Sequence, residues 1–377
     1  MIEVGRTRER FDGVRSIAVL RGGGLGDLLF AVPAIEALAA AYPEARITLL
    51  GTPLHRALLA GRPSPVSDVE ILPVAPGIRD APARPEAEPS ETVAEFLDRL
   101  RARRFDLAVQ VHGGGRNSNP VLLGLGARHT IGTRTPDAAD LERSISYLYY
   151  QHEVMRALEV VGLAGAEPVT LEPRIRTTGA ERASARECVP DAPGGRIVLH
   201  PGATDPRRRW PATRFAEVTA SLVATGARVA VIGDDTDAEA AQAIVSGVRD
   251  RGQDPDMVVD LTGRLPLGET AGLLAIADAV LANDSGPRHL AVAVGAPTVG
   301  VFWVGNALNA APFGRERHRI HLSWTTRCPV CGVDVTQVGW TAERCEHDDS
   351  FVDEVDPAAV LADVLDLTAR SLPPRDR

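Results

Sequence analysis

The stretch LRGGGLGDLLFAVPAIEAL, Leu20 to Leu38, decides how the chain is read. An apolar strand, SIAVL (16–20), ends in it; four glycines follow within Gly22 to Gly26, then one carboxylate, Asp27, and a helical pattern. A strand that turns through glycines into a helix opens a parallel α/β sheet, and such sheets hold ligands at the carboxyl ends of their strands. The dinucleotide fingerprint G-x-G-x-x-G fails, because Asp27 stands three residues after Gly24 and Thr52 follows the second strand where an acid should hold a ribose hydroxyl. A nicotinamide or flavin enzyme is therefore a remote reading. Gly24 and Gly26 instead suit close approach of a ligand to backbone amides. Asp27 is open to two roles, helix N-cap or catalytic group. Pro33 favours the second, since a helix starting near Val32 tolerates proline at its first position, whereas one capped at Asp27 carries it in the second turn.

Outward from this unit the alternation continues through RITLL (46–50), VEIL (69–72), LAVQV (107–111) and HTIG (129–132), with helical patterns near 32–42, 54–60, 91–104 and 144–162. This predicts a first domain over 14–175. Leu163 to Gly195 reads as a linker, and 73–90, with five prolines, as a mobile surface insertion more than a lid. The alternation restarts at RIVLH (196–200) and runs to PTVGVF (297–302), predicting a second domain over 190–355 with a cysteine-rich tail at 326–350. A last helical pattern within 356–377 is expected to pack back across the first domain. The fold class is α/β, with two Rossmann-like domains.

A chain of 377 residues exceeds one ordinary core, which agrees with two domains. Its net charge of −9 argues against sequence-independent nucleic-acid binding. All 41 basic residues are arginine. No run approaches 18 apolar residues and the N-terminus lacks an apolar signal core, so a cytoplasmic protein without a transmembrane segment is expected. Nothing in the pattern suggests a coiled coil, and a monomer is expected.

Two loops of the second domain carry chemistry. HPGATDPRRRWP (200–211) offers Gly202 and Thr204 as close donors and Arg207, Arg208 and Arg209 as charge suited to a diphosphate. NDSGPRHLA (283–291) places Asp284, Ser285 and Gly286 at a helix start. Singly, an arginine run is usually a solvated face and Asp-Ser-Gly a capping turn. Together, at the carboxyl ends of strands in one domain, they point to a nucleotide diphosphate.

The ordered set LGDLLFAVPAIEAL, HPGATDPRRRWPATRFAEV and DLTGRLPLGETAGLLAIADAVLANDSGPRHLAVAVGAPTVGVF resembles glycosyltransferase family 9, the ADP-heptose heptosyltransferases, over about 15–303. The resemblance implies a GT-B fold, two Rossmann-like domains facing across a cleft, and inverting sugar transfer that requires no cofactor. It makes Asp27 the base and puts Arg208 where the family commonly has lysine, a substitution natural to a chain without lysine. It also sets Asn283, Asp284, Ser285, Gly286 and His289 around the nucleotide, with Thr204 at the phosphates, Asp235 at the ribose and Leu261 against the base. Two other readings stay open: a nucleotide-sugar epimerase on this fold, and a nucleotide-sugar-binding protein in which Asp27 only caps. The acceptor is a saccharide, a lipid-linked saccharide or a small metabolite. His112, Arg116 and Asn117, in QVHGGGRNSNP (110–120), are candidates to hold it, and a plain structural turn is an equal reading.

CPVC, thirteen residues and then CEH give Cys328, Cys331, Cys345 and His347. The spacing suits a Cys3His structural zinc site, against reduced thiols or a disulfide or iron–sulfur role. Cys188 stands alone and reads as a packed side chain.

Overall fold

A computed structural model of the chain describes residues 4–81, 91–336 and 344–371. The chain divides into two compact units, Met1–Arg174 and Ile175–Arg377. The first unit runs β1 (Ser16–Leu20), α1 (Leu25–Ala41), β2 (Arg46–Gly51), α2 (Pro53–Leu59), β3 (Val66–Ile71), α3 (Val93–Arg101), β4 (Leu107–Gln110), α4 (Ser118–Gly124), β5 (His129–Arg134), β6 (Arg143–Ser146) and α5 (Glu153–Gly162). The second runs α6 (Gly179–Cys188), β7 (Arg196–His200), α7 (Ala212–Ala224), β8 (Arg228–Val231), α8 (Ala238–Asp250), β9 (Val258–Asp260), α9 (Leu267–Ala275), β10 (Ala279–Asn283), α10 (Gly286–Ala293), β11 (Thr298–Trp303), α11 (Val304–Ala310), β12 (His318–Ser323) and α12 (Pro357–Ser371).

Each unit holds one parallel six-stranded sheet, in the orders β3-β2-β1-β4-β5-β6 and β12-β11-β10-β7-β8-β9. These are one topology used twice. The chain direction through the sheet reverses between β1 and β4 in the first and between β7 and β10 in the second, and ligands of open α/β sheets bind at the carboxyl end of that switch. The central strands are buried on both faces, as β1 (Ile17, Ala18, Val19, Leu20) and β10 (Ala279 to Asn283) illustrate.

Several elements differ from the sequence reading. Helix α1 starts at Leu25, with Gly24 as N-cap and Pro33 inside it, rather than near Val32. An interior proline costs about 3 kcal/mol. The helix nonetheless buries Leu28, Leu29, Ile35 and Leu38 almost completely, each contributing roughly 1.5–3 kcal/mol, so packing outweighs the lost hydrogen bond. The span 144–162 is not one helix: its start belongs to the short edge strand β6, and α5 begins only at Glu153. The segment read as a linker contains α6, opened by a reciprocal cap in which Thr178 Oγ1 accepts the Glu181 amide (3.2 Å) and Glu181 Oε2 accepts the Thr178 amide (2.7 Å). Helix α12 places Val360, Val364 and Leu367 in the core of the second unit formed around α7 and β10. Of the insertion 73–90, residues 82–90 lie outside the described residues.

Candidate functional site

In the first unit, the loop after β1 turns through Gly23, whose φ of +84° is open to glycine at little cost. Asp27 follows in the first turn of α1, and its Oδ2 accepts the Gly24 amide at 2.8 Å, so it does contribute to capping. Its other oxygen receives Arg21 Nη2 at 2.6 Å. Arg21 is buried, donates Nη1 to the Val111 carbonyl and reaches Glu153 at 3.3 Å. Burial opposes the charge of Arg21, yet Asp27 and Glu153 outweigh it and raise its pKa. Asp27 itself is 44% exposed, so a carboxylate oriented by a buried arginine remains open to solvent.

Two histidines flank this loop. His55 Nε2 donates to the Gly24 carbonyl at 3.0 Å, and His112 Nε2 donates to the Gly77 carbonyl at 3.1 Å. Burial lowers both from their ordinary pKa, which favours neutral rings. Of the other acceptor candidates, Arg116 is exposed and lies 3.5 Å from Asp137, and Asn117 is exposed beside Gly77. Arg21, His55 and Glu153 escaped the sequence reading: His55 and Glu153 are common residues that only the strand order brings to this loop, and Arg21, six residues before Asp27, carries no motif of its own.

In the second unit, the loops after β7, β8, β9, β10 and β11 lie at one end of one parallel sheet. Trp210, almost fully buried, donates its amide to Asn283 Oδ1 (3.0 Å) and its Nε1 to the Val355 carbonyl (3.2 Å), while Asn283 Nδ2 donates to the Pro201 carbonyl (2.6 Å). The arginine loop is thereby tied to the end of β10. Asn283 is thus a structural tie.

The three arginines divide their work. Arg207 is buried, paired with Asp205 and stacked on Phe351 with its guanidinium carbon 5.2 Å from the ring centre. Arg209 Nε donates to the Ala203 carbonyl at 2.8 Å. Only Arg208 turns to the β10 loop, where its Nη1 donates to Asp284 Oδ2 at 3.2 Å. Asp284 is buried, and it also accepts from Asn306 Nδ2 (2.8 Å) and His289 Nε2 (3.1 Å). Burial alone would raise its carboxyl; His289, Arg208 and Asn306 together hold it well below the usual carboxylate range. His289 is lowered by burial in spite of Asp284, and the neutral ring donates Nε2–H while Nδ1 accepts from Arg288 at 3.3 Å. Asp284 is a clamp on Arg208 whose charge is already spent within the protein.

Ser285 Oγ lies 2.9 Å from His200 Nδ1, and His200 Nε2 lies 3.6 Å from Asp237 Oδ2, which links the loops after β10, β7 and β8. Asp237 is buried against Gly202, where a Cβ would stand 2.2 Å from its Oδ1. Of the sequence candidates, Thr204 and Asp235 are exposed, Gly286 opens α10, and Leu261 is buried at the end of β9. The buried acid in GDDTD is Asp237, two residues beyond the Asp235 singled out from the sequence.

In the tail, the donor atoms of Cys328, Cys331, Cys345 and His347 all lie within 4.8 Å of one another, a set that can hold a metal ion. His347 Nδ1 is buried without a hydrogen-bond partner, which suits a nitrogen facing a metal.

Residues 93–333 match the model of glycosyltransferase family 9 (heptosyltransferase). The chain belongs to that family. This glycosyltransferase is 24% identical over 318 residues to lipopolysaccharide heptosyltransferase 2 of Escherichia coli, covering 81% of this chain and 88% of the relative. The solved E. coli ADP-heptose lps heptosyltransferase II superposes with a TM-score of 0.67 at 20% identity, over 94% of this chain and 99% of that one. The iron-containing dodecameric glycosyltransferase TibC of enterotoxigenic E. coli gives 0.53 at 16% identity, over 97% and 78%. The fold of the glycosyltransferase is accordingly GT-B. Among the described residues, no helix is long and apolar enough to cross a membrane.

Proposed function

We propose that the enzyme moves a heptose from ADP-heptose to a saccharide hydroxyl, with inversion at the anomeric carbon. The observation that carries this reading is the clamp of Arg208 by Asp284, itself held by His289 and Asn306, at the carboxyl ends of β7 and β10 in a family 9 chain. Negative charge gathers on the diphosphate as the sugar leaves, and a preorganised guanidinium with loop amides stabilises it there. Gly202, Thr204, Ser285 and Gly286 supply close approach and donors to the phosphates, Asp235 meets the ribose hydroxyls and Leu261 the base. Asp27 takes the proton of the attacking hydroxyl, its carboxylate oriented by Arg21 and the Gly24 amide. His112, Arg116 and Asn117 are the acceptor candidates.

The choice of donor is supported by the names of the relatives and by TibC, solved with ADP-D-beta-D-heptose. The Cys3His cluster holds a structural metal, zinc by the tetrahedral thiolate and imidazole preference of that ion; metal analysis of the purified enzyme distinguishes zinc from iron. Parallel calorimetric titration with ADP, GDP, UDP and NAD tests the donor reading. Selective binding of ADP is expected. Preference for UDP or GDP would overturn ADP-heptose, and binding of NAD alone would overturn the donor site altogether.

A further inference from the structure

The residues that follow the Cys3His cluster run directly behind the arginine loop. Ser350 Oγ donates to the Arg209 carbonyl at 2.7 Å, and the Phe351 amide donates to the Arg207 carbonyl at 2.7 Å. The carbonyls of the residues on either side of Arg208 are therefore both held from the tail. Phe351 also forms the floor for the Arg207 guanidinium and packs in a small core with Cys328 and Val335. Only Asp348 and Asp349 separate His347 from Ser350, so fixing Cys345 and His347 fixes the start of the clamping segment.

We propose that the metal-bound Cys3His knuckle positions Arg208 for the diphosphate, through hydrogen bonds from Ser350 and Phe351 to the carbonyls on either side of it. The knuckle touches no substrate; its residues are positioning residues. This rests on the reading of Arg208 as a diphosphate ligand. A metal bound by four side chains lowers the freedom of a segment with few apolar contacts of its own, because ligation and ordering are coupled. A loop already ordered before the nucleotide arrives binds it without meeting that cost again. The effect belongs to the diphosphate and not to the adenosine, since Arg207 to Arg209 are the segment being held.

The test is calorimetric binding of ADP and of adenosine to the full chain in three forms: metal-loaded, stripped by chelator and reloaded with zinc, together with Cys331→Ser and Ser350→Ala. The stripped protein and Cys331→Ser are expected to bind ADP at least about 10-fold more weakly while adenosine affinity stays within about twofold, and reloading should restore ADP binding in the wild type alone. Ser350→Ala keeps the ligands, so its metal content should be unchanged while ADP binding weakens by about 2- to 10-fold, the loss of one hydrogen bond. Equal ADP affinity in loaded and stripped protein overturns the coupling, as does a loss shared equally by ADP and adenosine. Absence of metal uptake overturns the knuckle itself. Failure of the loaded wild type to bind any nucleoside diphosphate would instead overturn the donor reading on which the proposal stands.

Discussion

At the scale of single residues, two side chains in the proposed mechanism have separable consequences. Asp27→Asn keeps the shape and the bond from the Gly24 amide but cannot take a proton. Turnover is expected to fall by about 10²- to 10⁴-fold, with ADP affinity nearly unchanged, in steady-state assay and calorimetry run side by side. Full activity in that variant would remove Asp27 from the role of base and leave it a cap. Arg208→Ala should instead weaken ADP binding itself by about 10- to 100-fold, the range for a charged hydrogen-bonded contact. Asp284 keeps His289 and Asn306 as partners in that variant, so its thermal midpoint should shift little; a large drop would mean that Arg208 serves the fold more than the ligand.

At the scale of elements, the loops after β7 and β8 are held together by a missing side chain. Gly202 leaves room for Asp237, which accepts the Asp234 amide at 3.1 Å and faces His200. A methyl group at this position meets a buried carboxylate. Gly202→Ala is expected to destabilise the second unit by about 1–3 kcal/mol in urea unfolding and to weaken ADP binding as the loop shifts. An unchanged midpoint would show that the loop yields without cost. The segment around α6 teaches a related point, since its cap, Thr178 with Glu181, is a local signal for a helix inside a stretch whose composition suggests none. Across the interface with α9, a Cβ on Gly272 would stand 2.4 Å from the Glu181 carbonyl oxygen, so the helix also depends on a residue 91 positions away.

For the whole molecule, buried histidines are expected to contribute to the loss of stability in acid. Burial, helped by Arg288 and Arg317, lowers His318 to about 4, so the folded chain resists the proton that the unfolded chain takes up below about pH 6.5. Stability is therefore full above that value and declines as the pH falls towards 4, by up to about 3 kcal/mol from this group. His289, also lowered by burial, adds in the same direction. Asp284 has the usual carboxylate sign: its stabilising effect is present above about pH 5 and is lost only as the pH falls below the ordinary carboxylate range. Urea midpoints of wild type and His318→Gln at pH 7 and pH 5 should differ, with the wild type losing more on acidification. Parallel losses in both proteins would assign the acid sensitivity to other groups.

The local features are legible in the chain itself: the alternation of strands and helices, the loops rich in glycine and arginine, and the four soft ligands of the tail. These depend on period, turn chemistry and spacing, which are written in neighbouring residues. The sequence also carried the family motifs in their order. Which side chains meet was decided by the tertiary structure. Reversal of the strand order at β1/β4 and β7/β10 puts residues far apart in the chain at one sheet end, so Arg21 meets Glu153, and Arg208 meets Asp284, by topology and not by proximity in sequence. Pro33 within α1 is a local preference overridden by the burial of Leu28, Leu29, Ile35 and Leu38, and the edge strand β6 is set by its parallel pairing with β5. The family resemblance singled out Arg208 among the three arginines, and Phe351, Asp284 and Ala203 supply the physical reason by giving Arg207, Arg208 and Arg209 each a different neighbour.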